Sequence, residues 1–334
     1  MQDSQIALGQ EQAAYETGVR MEKLAHRGSW FAARVPGLYY QVTDFLRMDL
    51  PASHREILTD EAAHGGQGTL VGQDQPFDAE MLARMHADKQ ASLVLQTSPG
   101  AGTDPYVMAE TAFVQGLMAL DRQDYAAAAT QFQTTNTLLT QNPSQMLNFV
   151  TQPVCFLGLA LSYTGHLKQA DADIAQGGHF VDCYRFQADM VDHQGDWAQA
   201  QKDYQAAVAL APSLPQAYDS WGLALMRHQD YAGAILKFQA ANQRGPHWCD
   251  PLEHWGDALA AQGKYQEAIE KYAEASKYTP GWGALQLHWG EALDKLGKHS
   301  AAMSYYQVAQ DNADSLTAGE QAQLAKLLTP SSRT

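Results

Sequence analysis

Cysteine is scarce in this chain of 334 residues: Cys155, Cys183 and Cys249, an odd number with no CxxC spacing. That pattern reads as neither a disulfide framework nor a zinc site, and it predicts three small packing residues in a reducing compartment. Long apolar runs are also missing. No stretch approaches the ~20 residues that span a bilayer, so membrane insertion is not expected. The opening MQDSQIALGQ has neither a basic region nor an apolar core, which argues against a signal peptide. A cytoplasmic protein is expected, or a periplasmic one if a secreted precursor has been trimmed. Positive charge is in deficit, with 22 Lys and Arg against 37 Asp and Glu and a net charge of −15. Binding to a phosphate backbone runs on clustered Lys and Arg, so nucleic acid is not the expected partner.

Catalytic signatures are equally absent. No GxSxG or HExxH occurs, and the Gly-rich HGGQGTLVGQDQ at 64–75 lacks the Gly-Lys-Ser/Thr ending of a phosphate-binding loop. His254 and Asp257 are three apart, as are His288 and Glu291, a spacing that can chelate a divalent metal. Any polar helix produces such pairs, however, and they predict a polar groove lining rather than a metal site. Neither an enzyme nor a cofactor is expected. Strand-like alternation persists nowhere, so the fold class is all-α.

What the sequence does contain is a period. Trp221-Gly222, Trp255-Gly256 and Trp289-Gly290 open the pentapeptides WGLAL, WGDAL and WGEAL, 34 residues apart each time. With Gly222 counted as position 8, position 20 holds Ala200, Ala234, Ala268 and Ala302, and position 27 holds Ala207, Ala241, Ala275 and Ala309. Position 24 holds Tyr204, Phe238, Tyr272 and Tyr306, and position 32 holds Pro212, Pro246 and Pro280 before lapsing at Asp314. A fixed period in this range marks a repeat whose apolar face is buried only by stacking on its neighbours. Small residues at 8 and 20 let two helices approach closely, and Pro at 32 ends the second one. Gly195, Gly263 and Gly297 at position 15 suit the turn between them.

The pattern resembles the tetratricopeptide repeat family, with Trp in place of the usual Leu at position 7. The resemblance implies a right-handed superhelical solenoid of antiparallel helix pairs, about six to eight of them. Four clear units cover 181–314 and two degenerate ones cover 101–180, the second shortened before Gly177-Gly178. Residues 315–330 read as a polar capping helix with Leu316, Leu324, Leu327 and Leu328 buried. Residues 1–100 read as a divergent helical region, with Phe77–Gln96 helical in pattern. The row of Trp is expected to pack inside the repeats rather than to stack on a ligand.

In this family the concave groove is lined by positions 2, 5, 9, 12 and 13 of the first helix. Nine such positions are acidic here: Asp182, Asp189, Asp192, Asp219, Asp250, Glu253, Asp257, Glu291 and Asp294. Three are basic: Arg185, Arg227 and Lys295. The other positions of 181–312 cancel, so the net charge of this stretch falls on the implied groove. One-signed grooves focus potential onto an oppositely charged ligand. The expected function is a protein–protein interaction scaffold that binds a Lys/Arg-rich segment, with Leu223, Met226 and Leu287 as apolar contacts and His254 and His288 as hydrogen-bonding groups. The alternative is a regulatory or assembly subunit whose first 100 residues carry the specific site. The Lys/Asn/Arg clamp with which some family members grip acidic C-termini is missing from the four clear units.

Overall fold

A computed structural model of the chain describes residue 12 and residues 75–98, 100–143, 152–178 and 180–329. Among these, fifteen α-helices and no strands occur. They run α1 (Gln75–Arg84), α2 (Asp88–Thr97), α3 (Pro105–Asp121), α4 (Tyr125–Gln141), α5 (Pro153–Tyr163), α6 (Leu167–Gly177), α7 (Val181–His193), α8 (Trp197–Leu210), α9 (Gln216–Arg227), α10 (Tyr231–Asn242), α11 (Asp250–Ala261), α12 (Tyr265–Ala275), α13 (Gly283–Lys295), α14 (His299–Asp311) and α15 (Ala318–Leu328). The first fourteen pair consecutively as helical hairpins, which stack into a right-handed superhelical solenoid.

The close approach within a hairpin has a visible cause. Gly256 on α11 lies against the ring of Tyr272 on α12, so that a methyl group at Gly256 would fall inside the ring. Gly222 with Phe238 and Gly290 with Tyr306 repeat the contact. The position-24 rings are buried completely or nearly so. The tryptophans at position 7 pack within their own hairpins. Lys237 Nζ sits 3.3 Å from the ring centre of Trp221, Lys271 Nζ 4.1 Å from that of Trp255, and Tyr305 4.3 Å from Trp289. All three partners stand at position 23, and Trp221 also lies parallel to Tyr204 of the preceding repeat, with ring centres 6.2 Å apart.

Position 15 is the turn, and its backbone is left-handed whatever residue occupies it. Gly263 has φ 78°, and Gln123 and Gln229 adopt the same region at 57° and 60°. His86, between α1 and α2, has φ 56° and occupies the equivalent place. Counted from there, Ala79 and Ala91 fall at positions 8 and 20, both fully buried. Residues 75–97 are thus a hairpin of the same kind, and the helical pattern read over Phe77–Gln96 divides at Met85–Ala87. The Gly-rich loop and nearly all of the preceding sequence lie outside the described residues. At the other end, Thr317 and Glu320 form a reciprocal capping box that starts α15, with Leu316 and Leu324 buried and Leu327 and Leu328 half-buried.

The cysteines depart from the sequence reading. Cys155 on α5 and Cys183 on α7 form a disulfide across consecutive repeats, with their Cα atoms 5.1 Å apart. The shortened α6 makes this possible. It ends at Gly177, where a methyl would overlap both sulfurs, and Gly178 then turns the chain with φ 71°. An odd count with no CxxC hid a pair that only stacking brings together. Cys249 alone is free, and it is buried.

The solenoid also meets itself. Thr279 Oγ1 donates to the Met85 carbonyl at 2.8 Å, Lys89 Nζ donates to the Asp311 carbonyl at 2.5 Å, and Arg122 donates to the Asp314 carbonyl at 3.3 Å. Hairpin α1–α2 and the end of α3 therefore close against the turn before α13, the end of α14 and the turn before α15.

Two stability tests follow from this packing. Gly256→Ala forces a methyl into the Tyr272 ring and is expected to cost about 1–3 kcal/mol, as overpacking does, in a thermal or urea melt. Unchanged stability would mean that the ring is not held there. Reducing the disulfide reopens a 28-residue separation, with an expected loss of about 3 kcal/mol. A melt indifferent to reductant would contradict the bond.

Candidate functional site: the concave channel

The first helix of each hairpin faces the concave side, and the carboxylates anticipated there are found in bonded pairs. Position 5 of one repeat is bonded to position 6 of the next, three times over. Arg185 Nη1 donates to Ser220 Oγ at 3.1 Å, His254 Nδ1 to Asp219 Oδ1 at 3.0 Å, and His288 Nδ1 to Glu253 Oε1 at 2.6 Å. A second rung joins positions 12 and 13, where Arg227 holds Asp192 at 2.8 Å. Within a repeat, the position-24 tyrosine donates to the position-9 aspartate: Tyr204 to Asp189 at 2.5 Å and Tyr272 to Asp257 at 2.7 Å.

The remaining groove acids are also engaged. Asp182 accepts from Arg185 at 2.6 Å, Asp189 also from Arg227 at 2.9 Å, and Asp294 from Tyr306 at 2.7 Å. Glu291 accepts from Gln323 of the cap helix. Asp250 faces His86 Nε2 at 3.1 Å. Glu253 and Asp219 are almost wholly buried.

These pairs set the protonation states. Burial works against charge on His254, but Asp219 first, then Glu253 and Asp250, override it and raise the imidazole to about 10. His288 is opposed by burial and raised well above its ordinary value by Asp257, Glu253 and Glu320. Burial also pushes Glu253 and Asp219 up, with His288 and His254 pulling each back. Asp257 goes the other way: burial would raise it, but His288 and the Tyr272 hydroxyl hold it low. At neutral pH the histidines are cations that offset part of the acidic excess.

Between these walls lies a cavity of about 330 Å³. Of the residues singled out from sequence, Arg185, Asp189, Asp219, Leu223, Arg227, Asp250 and His254 line it. Glu253, Asp257 and His288 form a separate cluster towards α15, where His288 Nε2 is 3.5 Å from Glu320. Met226 is half-buried against the packing around Leu225 and Phe238. Leu287 does not serve as a groove contact. It is fully buried in the C-terminal core with Trp282 and Leu316, because the cap helix covers it.

The cavity also has walls that the sequence reading missed. Arg84 and His86 come from α1–α2, Leu117, Leu120 and Asp121 from α3, Phe156 and Tyr163 from α5, and Trp248 and Trp282 from later turns. His86 lies flat on Trp282, with ring centres 3.7 Å apart and planes 7° apart. Burial opposes its charge, but Asp250 and Asp121 raise its pKa well above the ordinary value. A signal for this hairpin existed: Ala79 and Ala91 keep the twelve-residue spacing of positions 8 and 20.

An all-helical solenoid of stacked hairpins with a concave channel defines the class. The tetratricopeptide repeat model matches residues 193–247 and 255–316, and this part of the chain carries tetratricopeptide repeats. The fold is similar to that of the anaphase-promoting complex hetero-tetramer Cut9–Hcn1, at 15% identity, over 93% of this chain and 59% of that one, with a TM-score of 0.50. More local likenesses are to MamA of AMB-1 (19% identity, 48% of this chain, 98% of that one, TM-score 0.39) and to Pseudomonas aeruginosa PilF (17%, 52%, 90%, 0.43). No curated protein matches the sequence. The tetratricopeptide repeat is a scaffold for protein–protein interaction and is generally non-catalytic. No helix among the described residues is long and apolar enough to cross a membrane.

The charged rungs predict how stability responds to pH and to substitution. His254 keeps its proton when folded up to about 10, whereas the unfolded imidazole loses it near its ordinary value of about 6.5. Its stabilisation is therefore complete below the lower value and is lost as pH rises through the upper one. Melting temperature should fall steadily across that window and should fall less in His254→Gln. A flat profile would count against the charged pair. His288→Ala removes the nearer of the two imidazoles beside buried Glu253 and should cost about 3–5 kcal/mol in a urea melt.

Proposed function

We propose that the chain is a protein-interaction scaffold that takes a cationic segment, with Lys or Arg beside apolar residues, into its concave channel. The observation that carries this reading is the composition of the cavity wall. Asp121, Asp189, Asp219 and Asp250 stand among Leu117, Leu120, Leu159, Leu223 and Phe156, with Arg84, His86, Arg185, Arg227 and His254 on the same wall. A long cationic side chain buries an apolar stem and keeps its charged head near carboxylates. The internal rungs lower the available charge, so the segment would share carboxylates with His254 and Arg227 rather than meet a bare acidic face. Binding would weaken with salt.

The alternative, a regulatory or assembly subunit whose N-terminal region carries specificity, draws support from one feature: hairpin α1–α2 supplies Arg84 and His86 to the same wall. The Cys155–Cys183 bond supports an oxidising compartment such as the periplasm, since disulfides persist there and are rare in a reducing cytoplasm.

Leu223, half-buried at the cavity wall, offers a test by charge sign. Fluorescence anisotropy would compare Lys/Arg-rich and Asp/Glu-rich peptide libraries carrying apolar residues. Leu223→Arg should weaken cationic peptides at least tenfold, whereas Leu223→Glu should preserve or tighten them. Equal effects of the two substitutions, or acidic peptides binding as well as basic ones, would refute the cationic reading. Peptide binding that ignores both changes would shift specificity to the N-terminal region.

A further inference from the structure

The one free thiol among the described residues is buried beside two other metal-ligating groups. Cys249 immediately precedes α11, and its Sγ lies 3.2 Å from Oδ1 of Asp250, the first residue of that helix. His86 Nε2 approaches the same oxygen at 3.1 Å from the turn between α1 and α2. The three donor atoms all lie within 4.8 Å of one another. They come from segments more than 160 positions apart in sequence.

We propose that His86 Nε2, Cys249 Sγ and Asp250 Oδ1 bind a zinc ion that clamps hairpin α1–α2 onto the C-terminal repeats. Zinc takes nitrogen at about 2.0–2.1 Å, oxygen at about 2.0–2.2 Å and sulfur at about 2.3 Å in tetrahedral geometry, so its donors stand roughly 3.3–3.7 Å apart. The two separations at the oxygen, 3.1 and 3.2 Å, need only a few tenths of an ångström to reach that frame, and the nitrogen and sulfur lie within 4.8 Å of each other.

The surroundings favour the same ion. Asp121 Oδ2 stands 3.5 Å from His86 Nδ1, the remote nitrogen. A carboxylate there is the usual partner of a zinc-bound histidine, because it holds the Nδ1 proton and leaves Nε2 free to ligate. The stack on Trp282 fixes the ring plane while leaving both nitrogens at the edge. A thiolate and a carboxylate balance the two positive charges, and the sulfur selects zinc over magnesium or calcium. Binding releases the Cys249 thiol proton and the His86 Nε2 proton. His86 and Asp250 also line the cavity, so water or a donor from a bound segment would complete the coordination.

Among the described residues, the cluster of Glu253, Asp257 and His288 is the other convergence of ligand types. It has no sulfur, which makes the two sites spectroscopically distinct.

The test is cobalt substitution in the full chain after removal of metal with a chelator. One equivalent of Co²⁺ should give a thiolate-to-cobalt charge-transfer band in the near ultraviolet with tetrahedral d–d bands, and Zn²⁺ should displace it. Cys249→Ser should abolish the charge-transfer band, whereas the double variant Cys155→Ala, Cys183→Ala should keep it. Asp121→Asn should weaken zinc about 10–100-fold, as loss of an outer partner does. Absence of the band in the wild type, or its survival in Cys249→Ser, overturns the site. Should Cys249→Ser fail to fold, His86→Gln decides: it must lower cobalt affinity at least tenfold, and unchanged affinity overturns the assignment.

Discussion

Each repeat delivers carboxylates to the concave side that its own helices only partly satisfy, and the next repeat supplies the rest. Buried charge is tolerated only when paired, and breaking one member of a pair costs far more than the pair contributes. The stacking of one hairpin on the next is therefore fixed polar group by polar group. Asp219 requires His254, Glu253 requires His288, and Asp192 requires Arg227. The apolar ridge of glycine against aromatic ring sets the distance within a hairpin. The rungs set the register between hairpins and, with it, the curvature that makes a channel.

That curvature brings the ends of the described solenoid together. His86 lies against Trp282 and Asp250, and Thr279 binds the carbonyl beside it. The channel is consequently a walled cavity of mixed character rather than an open acidic trough. On the proposed function, such a scaffold would recognise a segment by shape and by a few cationic contacts, with the first hairpin contributing Arg84 and His86 to the same wall.

Much of this was legible in the sequence, for reasons that can be traced to particular residues. The 34-residue beat of Gly222, Gly256 and Gly290 fixes the hairpins because a glycine facing a large ring leaves few alternatives. One rule was readable and passed unnoticed: Asp189 and Asp257 at position 9 accompany Tyr204 and Tyr272 at position 24, whereas Leu223 accompanies Phe238. The hydroxyl is present where there is a carboxylate to receive it. The disulfide and the contacts of His86 were not readable, because both depend on stacking across distant segments. Leu287 misled for a related reason. Its register points to the groove, but at the last repeat the cap helix occupies that place.

The central claim is that charged imidazoles on one repeat neutralise carboxylates on the one before. The most direct measurement is an NMR titration of the His254 ring, assigned by comparison with His254→Gln. The account predicts an imidazole that stays protonated through neutral pH and titrates near 10, with an Asp219→Asn substitution bringing it down. A His254 ring that titrates at the ordinary value of about 6.5, and does so equally in Asp219→Asn, would contradict it.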